Sequence, residues 1–272
     1  MSSFATISVE KLSRLVGTPG CPAVIDVRTE ADFALDARLI PASSRRPCGS
    51  VRAWVPELAG RPAIVFCRHG RKLSEGTAAW LRQEGVPAEA LAGGFEGWRQ
   101  AGLPLVPASK LPLPDELGRT VWVTRARPKI DRIACPWLIR RFVDPRAAFL
   151  FVAAPEVTGV AEGFAATPFD IENVFWSHRG DSCTFDTMIA EFGLATEPLQ
   201  RLARIVRAAD TARPELAPEA PGLLAASLGL SRMYADDLAQ LEAGMTLYDA
   251  FYRWCRDATD ETHNWPSAKA GA

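Results

Sequence analysis

Unbroken apolar runs alternate with segments of helical period through the N-terminal part of the chain. PAVIDV reads as a buried strand ending at Asp26, and RPAIVFC as a second one ending at Cys67. Between and after them lie helical patterns. VEKLSRLV follows Ser8, a residue suited to cap it. TAAWLRQEG is stopped by Gly85, and FEGWRQAG by Gly102. AEALAGG is a short strand running into a glycine turn. This order predicts a parallel sheet with crossover helices, whose sites gather beyond the carboxyl ends of the strands. Asp26 and Cys67 both fall at such ends.

The pattern then breaks. Pro107, Pro112 and Pro114 punctuate a semi-extended stretch that reads as a linker over residues 107–118. Beyond it VWVTRA and AAFLFVA are strands, and CPWLIRRFVD is a short helix with Pro136 in its first turn. From Cys183 onward the period is mainly helical. The last long segment puts Leu238, Leu241, Met245, Tyr248, Tyr252 and Cys255 on one face, with an interruption expected at Gly244. The expected fold is an α/β parallel sheet flanked by helices over residues 1–106, joined to a second, mostly helical α+β domain over 119–265. A flexible tail is expected over 266–272.

Composition narrows the function. Formal net charge is −1 over 272 residues, with acids and bases interspersed. That argues against broad binding to nucleic acid or to an anionic membrane. No apolar run approaches the ~20 residues of a membrane span, and the N-terminus lacks the apolar core of a secretory signal. The six cysteines are scattered without a CxxC pair, which reads as reduced thiols in a cytoplasmic protein. Three histidines exclude a His-rich metal cage.

Candidate chemistry concentrates in FCRHGRKLSEG, residues 66–76. It places a thiol at a strand end, in a basic turn, ahead of a helix. Flanking cations, a helix N-terminus and converging amides each favour the thiolate. Gly70 lets successive N–H groups turn inward as an anion nest. Arg68, His69, Arg71 and Lys72 surround it. A buried structural cysteine is the alternative reading. A cysteine phosphatase would need arginine six residues after the thiol, where Leu73 stands.

Three motifs carry a resemblance. IDVRTEADF, CRHGRKLS and AGGFEGWRQAGLP, in this order and spacing, resemble the strand-end motif, active-site loop and Gly-Gly-x-x-x-Trp signature of rhodanese domains. The resemblance implies a persulfide on Cys67, held by the amides of Arg68 to Lys72 and braced by Asp26 and Arg28. Lys72 and Leu73 replace the usual arginine and serine. A lysine is a point charge, not a fork, which puts thiosulfate in question as the donor. The stretch ARLIPASSRRP departs from the family pattern. Its Arg45 and Arg46 are candidates for an anion-attracting rim.

Two further stretches stand out. RARPKIDRIACPWLIRRF clusters cations at a strand-to-helix junction, where oxyanions bind. Lys129, Arg132, Cys135 and Trp137 are the candidates, against a solvated charged surface. FDIENVFWSHRGDSCTFD gathers acids around His178. A divalent metal held by Glu172, His178, Asp210 and His263 is one reading, and Asp181 suits a helix cap. RPKIDRIACPWLIRRFVDP, FLFVAAPEV, the His178 segment, IVRAADTAR and LEAGMTLYDAFYRW resemble the C-terminal domain of chromate resistance protein B. That resemblance singles out Lys129, Asp131, Arg132, Cys135, Trp137, His178, Cys183 and Asp210.

The expected function is a sulfurtransferase coupled to a domain that binds or senses an oxyanion or metal. It needs no cofactor for sulfur transfer. Its partners are a small-molecule or protein sulfur donor and a thiol acceptor, with Cys135 or Cys183 as internal candidates, and chromate or sulfate as effector. Two alternatives stay open. One is a non-catalytic oxyanion or redox sensor, and the other a metal-dependent redox enzyme centred on His178.

Overall fold

A computed structural model describes residues 5–261. His263 and the tail 266–272 lie outside the described residues. The N-terminal part runs β1 (Thr6–Ile7), α1 (Val9–Leu15), β2 (Ala23–Asp26), α2 (Glu30–Leu35), β3 (Arg38–Leu39), β4 (Ser43–Arg45), α3 (Val51–Trp54), β5 (Ala63–Phe66), α4 (Lys72–Gln83), β6 (Ala88–Leu91) and α5 (Gly94–Gln100). Five strands form an all-parallel sheet in the order β1-β6-β5-β2-β4. The central strand β5 is buried along its whole length, which is why AIVF shows no polar alternation. The Ser8 hydroxyl accepts the Lys11 N–H at 3.2 Å and so caps α1.

The second part begins with β7 (Val106–Pro107), β8 (Val121–Arg125), α6 (Asp131–Leu138), β9 (Ala148–Val152), α7 (Val157–Gly163) and β10 (Thr167–Pro168). It continues with α8 (Thr184–Glu191), α9 (Glu197–Asp210), α10 (Ala220–Met233) and α11 (Asp237–Asp257). Its sheet has three parallel strands, β10-β8-β9, with α6 and α7 in the crossovers. No helix among the described residues is long and apolar enough to cross a membrane.

Four expectations need correction. The linker is docked where it begins. β7 pairs antiparallel with β3, the Ala108 N–H reaches the Ala37 carbonyl at 3.0 Å, and Lys110 pairs with Glu191 at 2.6 Å. Helix α6 starts at Asp131, so Pro136 lies in its body, not its first turn. α11 is unbroken at Gly244, where a Cβ would come within 2.6 Å of the Ile133 Cγ2. The glycine answers a close helix approach, and of the expected face only Leu238 is exposed. Asp181 does not cap α8. Its side chain is exposed, while Cys183 is the N-cap and Asp186 accepts the Cys183 N–H at 3.0 Å.

One continuous core joins the two parts and takes in Leu12, Phe95, Trp98, Phe142, Trp137 and Tyr248. Gly17 lies against the Phe142 ring, and the Ala42 N–H donates to the Phe142 carbonyl at 2.7 Å.

Candidate active site

β5 ends at Phe66, and Cys67 begins the loop that feeds α4. The loop rests on the turn before α5. The Phe95 N–H donates to the Cys67 carbonyl at 3.0 Å, and the Glu96 N–H to that of Arg68 at 2.9 Å. Gly70 has φ +67°, and a Cβ there would strike the Leu91 carbonyl and lie 2.6 Å from the Gly94 nitrogen. Both the left-handed backbone and the close approach require glycine.

The Cys67 side chain is buried. Its Sγ lies 3.4 Å from the Arg71 nitrogen, which donates to it, and 3.4 Å from the Ser74 Oγ. Burial pushes the thiol pKa up. Hydrogen bonds from the Ser74 hydroxyl and from the N–H groups of Ser74, Arg71 and His69 outweigh it, and hold the thiol below its usual range. The hydroxyl also lies 2.9 Å from the Arg71 carbonyl. Its proton therefore has an acceptor whether or not the sulfur is ionised. Ser74 is the residue that motif reasoning missed. Leu73 occupies the expected serine position, and the hydroxyl arrives one residue later.

The loop cations are not equivalent. Arg68 is held by Glu96 at 3.4 Å and Asp32 at 3.6 Å. His69, Arg71 and Lys72 are exposed at the rim, and Arg71 and Lys72 have no carboxylate partner among the described residues. Arg45 and Arg46 do not form the expected rim. Arg45 pairs with Glu30 at 2.8 Å over the Phe33 ring, and Arg46 with Glu57 at 2.6 Å.

Asp26 and Arg28 form an ion pair with both side chains at 0% exposure. Arg28 Nε and Nη2 grip the carboxylate at 2.9 and 2.7 Å. Nη1 and Nη2 also reach the carbonyls of Asp36 and Arg38 at 2.9 and 2.7 Å. The guanidinium lies 3.9 Å from the Phe95 ring centroid, so the pair supports the residue whose amide holds the Cys67 carbonyl.

In the second part, the structure does not assemble the expected oxyanion set. Cys135 and Trp137 are fully buried, and the Trp137 Nε1 donates to Asp249 at 2.8 Å. Burial pushes the Cys135 and Cys183 thiols up, so neither suits the role of sulfur acceptor. Arg132 is engaged by Asp170 at 3.3 Å. Lys129 is partly exposed ahead of α6.

A different cluster forms instead. His178 Nε2 lies 3.4 Å from Asp131, 3.3 Å from Asp170 and 3.3 Å from Asp210. Glu172 is exposed and is not among them. Asp131 accepts the Thr184 and Phe185 N–H groups at the start of α8, at 2.7 and 3.3 Å. Ile130 before it has φ +39°, an unusual conformation for a β-branched residue. Its N–H is taken by the Ser227 hydroxyl at 3.2 Å and its carbonyl by the Tyr248 hydroxyl at 2.9 Å. Asp170 also sits at positive φ, +52°. It is held by Arg125 at 3.1 Å and by the Thr184 hydroxyl at 3.0 Å. Hydrogen bonds donated by the imidazole to the Asp131 and Asp170 carboxylates raise it to about 10. Burial and the neighbouring carboxylates raise Asp210 to about 7. The cluster is suited to hold a proton or a cation.

An all-parallel sheet whose central strand delivers a thiol into an amide-lined loop, ahead of a helix, has the build of a rhodanese-like domain. Comparison with known proteins agrees: residues 8–101 match the rhodanese-like domain family, and residues 122–255 match the ChrB C-terminal domain family. The chain thus carries a rhodanese-like domain at residues 8–101 and a ChrB C-terminal domain at residues 122–255. Among curated relatives, Protein ChrB of Cupriavidus metallidurans is 31% identical over 201 residues, which take in 69% of this chain and 59% of that protein. The chain therefore spans about three fifths of that relative's length. Among solved structures, a thiosulfate sulfurtransferase from Pseudomonas aeruginosa is 26% identical, with a TM-score of 0.35, over 39% of this chain and 20% of that one. A rhodanese-related protein from Thermoplasma volcanium is 24% identical, with a TM-score of 0.33, over 38% and 98%.

Proposed function

We propose that the chain is a sulfurtransferase that carries a persulfide on Cys67 and serves chromate resistance. The observation that carries this reading is the donor set around Sγ, from the Arg71 amide and the Ser74 hydroxyl, which together with the neighbouring amides favours the thiolate. The Cys67 thiolate attacks the outer, sulfane sulfur of a donor. The donor's bond to that sulfur breaks, S–S in thiosulfate or a persulfide and C–S in 3-mercaptopyruvate, and the leaving group departs with the electron pair as sulfite, a thiolate or the enolate of pyruvate. An acceptor thiolate then attacks the terminal sulfur of the Cys67 persulfide and releases the Cys67 thiolate. Because Cys135 and Cys183 are fully buried, neither serves as the acceptor.

Intact-protein mass spectrometry tests this. Wild type and Cys67→Ser are incubated with thiosulfate, with 3-mercaptopyruvate, and with a cysteine-desulfurase system. One added sulfur on wild type alone supports the proposal. No addition from any donor overturns it and leaves an anion-binding loop.

A second reading concerns the ChrB-type domain, where Asp131, Asp170 and His178 bring one ligand atom each to within 4.8 Å of one another, and Asp210 lies 3.3 Å from the same imidazole nitrogen. That donor set suits a divalent cation such as Mn²⁺ or Zn²⁺. Without one, the negative charge of the cluster is balanced by Arg125, Arg132 and a protonated His178. Metal content of the purified protein, with calorimetric titration of Mn²⁺ and Zn²⁺, separates the cases. If neither ion binds, the imidazolium arrangement stands.

A further inference from the structure

The two domains enclose a cleft of about 360 Å³. Arg61 lines it from the rhodanese-like side, and Arg140, Arg141 and Arg146 from the other. Glu242 is the one carboxylate in its wall. It meets Arg140 at 2.5 Å. Arg141 is gripped by Asp249 through two bonds of 2.8 Å. Arg146 pairs with Glu57, which also serves Arg46. Asp144 lies in the adjoining recess and is taken up by the Thr120 amide and hydroxyl and the Arg146 amide. Five guanidiniums thus face four carboxylates. Arg61 has no carboxylate partner among the described residues; its Nη2 donates to the Cys21 carbonyl at 3.2 Å. The Cys21 thiol, also in the wall, is pushed up to about 11 by burial, against Arg61 and Arg141. It stays neutral near pH 7 and removes none of the positive charge.

We propose that this cleft binds a tetrahedral oxyanion dianion of the sulfate type between Arg61 and the arginines of the ChrB-type domain. Guanidinium forks match the paired oxygens of such an ion. The space admits the ion together with bridging water. Because the arginines come from both domains, a bound dianion ties one to the other. The cleft shares no residue with the Cys67 loop, so this proposal stands independently of sulfur transfer.

The probes are sulfate and chromate, each titrated calorimetrically into the full chain against chloride at matched ionic strength, with thermal unfolding followed in parallel. Wild type is expected to bind one ion per chain and to unfold at higher temperature in its presence. Arg61→Gln is expected to weaken binding by about tenfold or more, the worth of a charge-assisted hydrogen bond, and Arg61→Glu to abolish it. Arg52→Gln, at an exposed arginine outside the cleft, is expected to leave it unchanged. Binding of sulfate but not chromate, or the reverse, with the same Arg61 dependence supports the site and names the ion. No binding in wild type overturns the proposal. So does binding that survives both Arg61 variants, or that is lost in Cys67→Ser alone, which would place the ion in the cysteine loop.

Discussion

Arg28 offers a sharp test of how the cysteine loop is braced. Its side chain and that of Asp26 are both at 0% exposure, so solvent screens neither. Arg28→Ala leaves the Asp26 carboxylate buried with the Arg28 amide as its remaining donor, at 2.9 Å. It also frees the carbonyls of Asp36 and Arg38. Breaking one side of a buried pair costs about 3–5 kcal/mol. Arg28→Lys restores a charge but not a fork that spans one carboxylate and two carbonyls. With both carbonyls left short of a donor, it is expected to cost about 2 kcal/mol. Urea unfolding of the full chain, followed by tryptophan fluorescence and extrapolated linearly, gives the comparison. The expected order is wild type, then Arg28→Lys, then Arg28→Ala. A loss below about 1 kcal/mol for Arg28→Ala, or a lysine variant as stable as wild type, would refute the bracing role.

Other outcomes follow from the same geometry. Ser74→Ala removes a donor to Sγ, so the Cys67 pKa rises, and iodoacetamide alkylation against pH shifts to higher pH. An unmoved profile would mean that the amides alone set the thiolate. Gly244→Ala, although it raises helix propensity, is expected to destabilise by about 1–3 kcal/mol because Ile133 must move. Gly229→Ala in α10 meets nothing within 4 Å and should stabilise by up to about 1 kcal/mol. Equal effects at the two glycines would sink the packing argument. The folded-state pKa of His178 is raised, so its contribution is full below about 6.5 and is lost as pH rises toward about 10. The raised carboxyl of Asp210 acts in the same sense, its contribution full below about 3.8 and lost as pH rises through about 7. Wild-type stability should therefore fall between pH 7 and 10, and His178→Gln should flatten that fall; parallel curves would remove His178 from the account.

The middle of the parallel sheet was legible because β2, β5 and β6 are apolar-rich runs closed by turn residues, and the rhodanese motifs fix local backbone; the edge strands β1 (Thr-Ile) and β4 (Ser-Ser-Arg) carry no such run. Cys67, Gly70, Asp26 and Arg28 fall together because strand ends and glycine turns are short-range features. Ser74 escaped notice because a one-residue offset in a helix N-terminus is set by where the helix starts, which the motif does not encode. The His178 cluster draws on α6, a loop and the end of α9, and only the fold brings Asp131 and Asp170 to the imidazole in place of Glu172. Gly244 misled for a related reason. A glycine that breaks a helix and one that admits a neighbouring helix look alike until Ile133 is in place.

The pairing of β7 with β3 and the seat of Phe142 against Gly17 bear on how such a chain can be recombined. The family boundary, between residues 101 and 122, is a boundary of ancestry and not of folding. A rhodanese-like module ending at residue 101 would lose β7, the strand that pairs with β3. It would also leave Gly17 facing an empty place where the Phe142 ring had packed. Exchanging either half for a homologue from a free-standing protein therefore requires the incoming piece to supply a glycine or an aromatic ring at this seam.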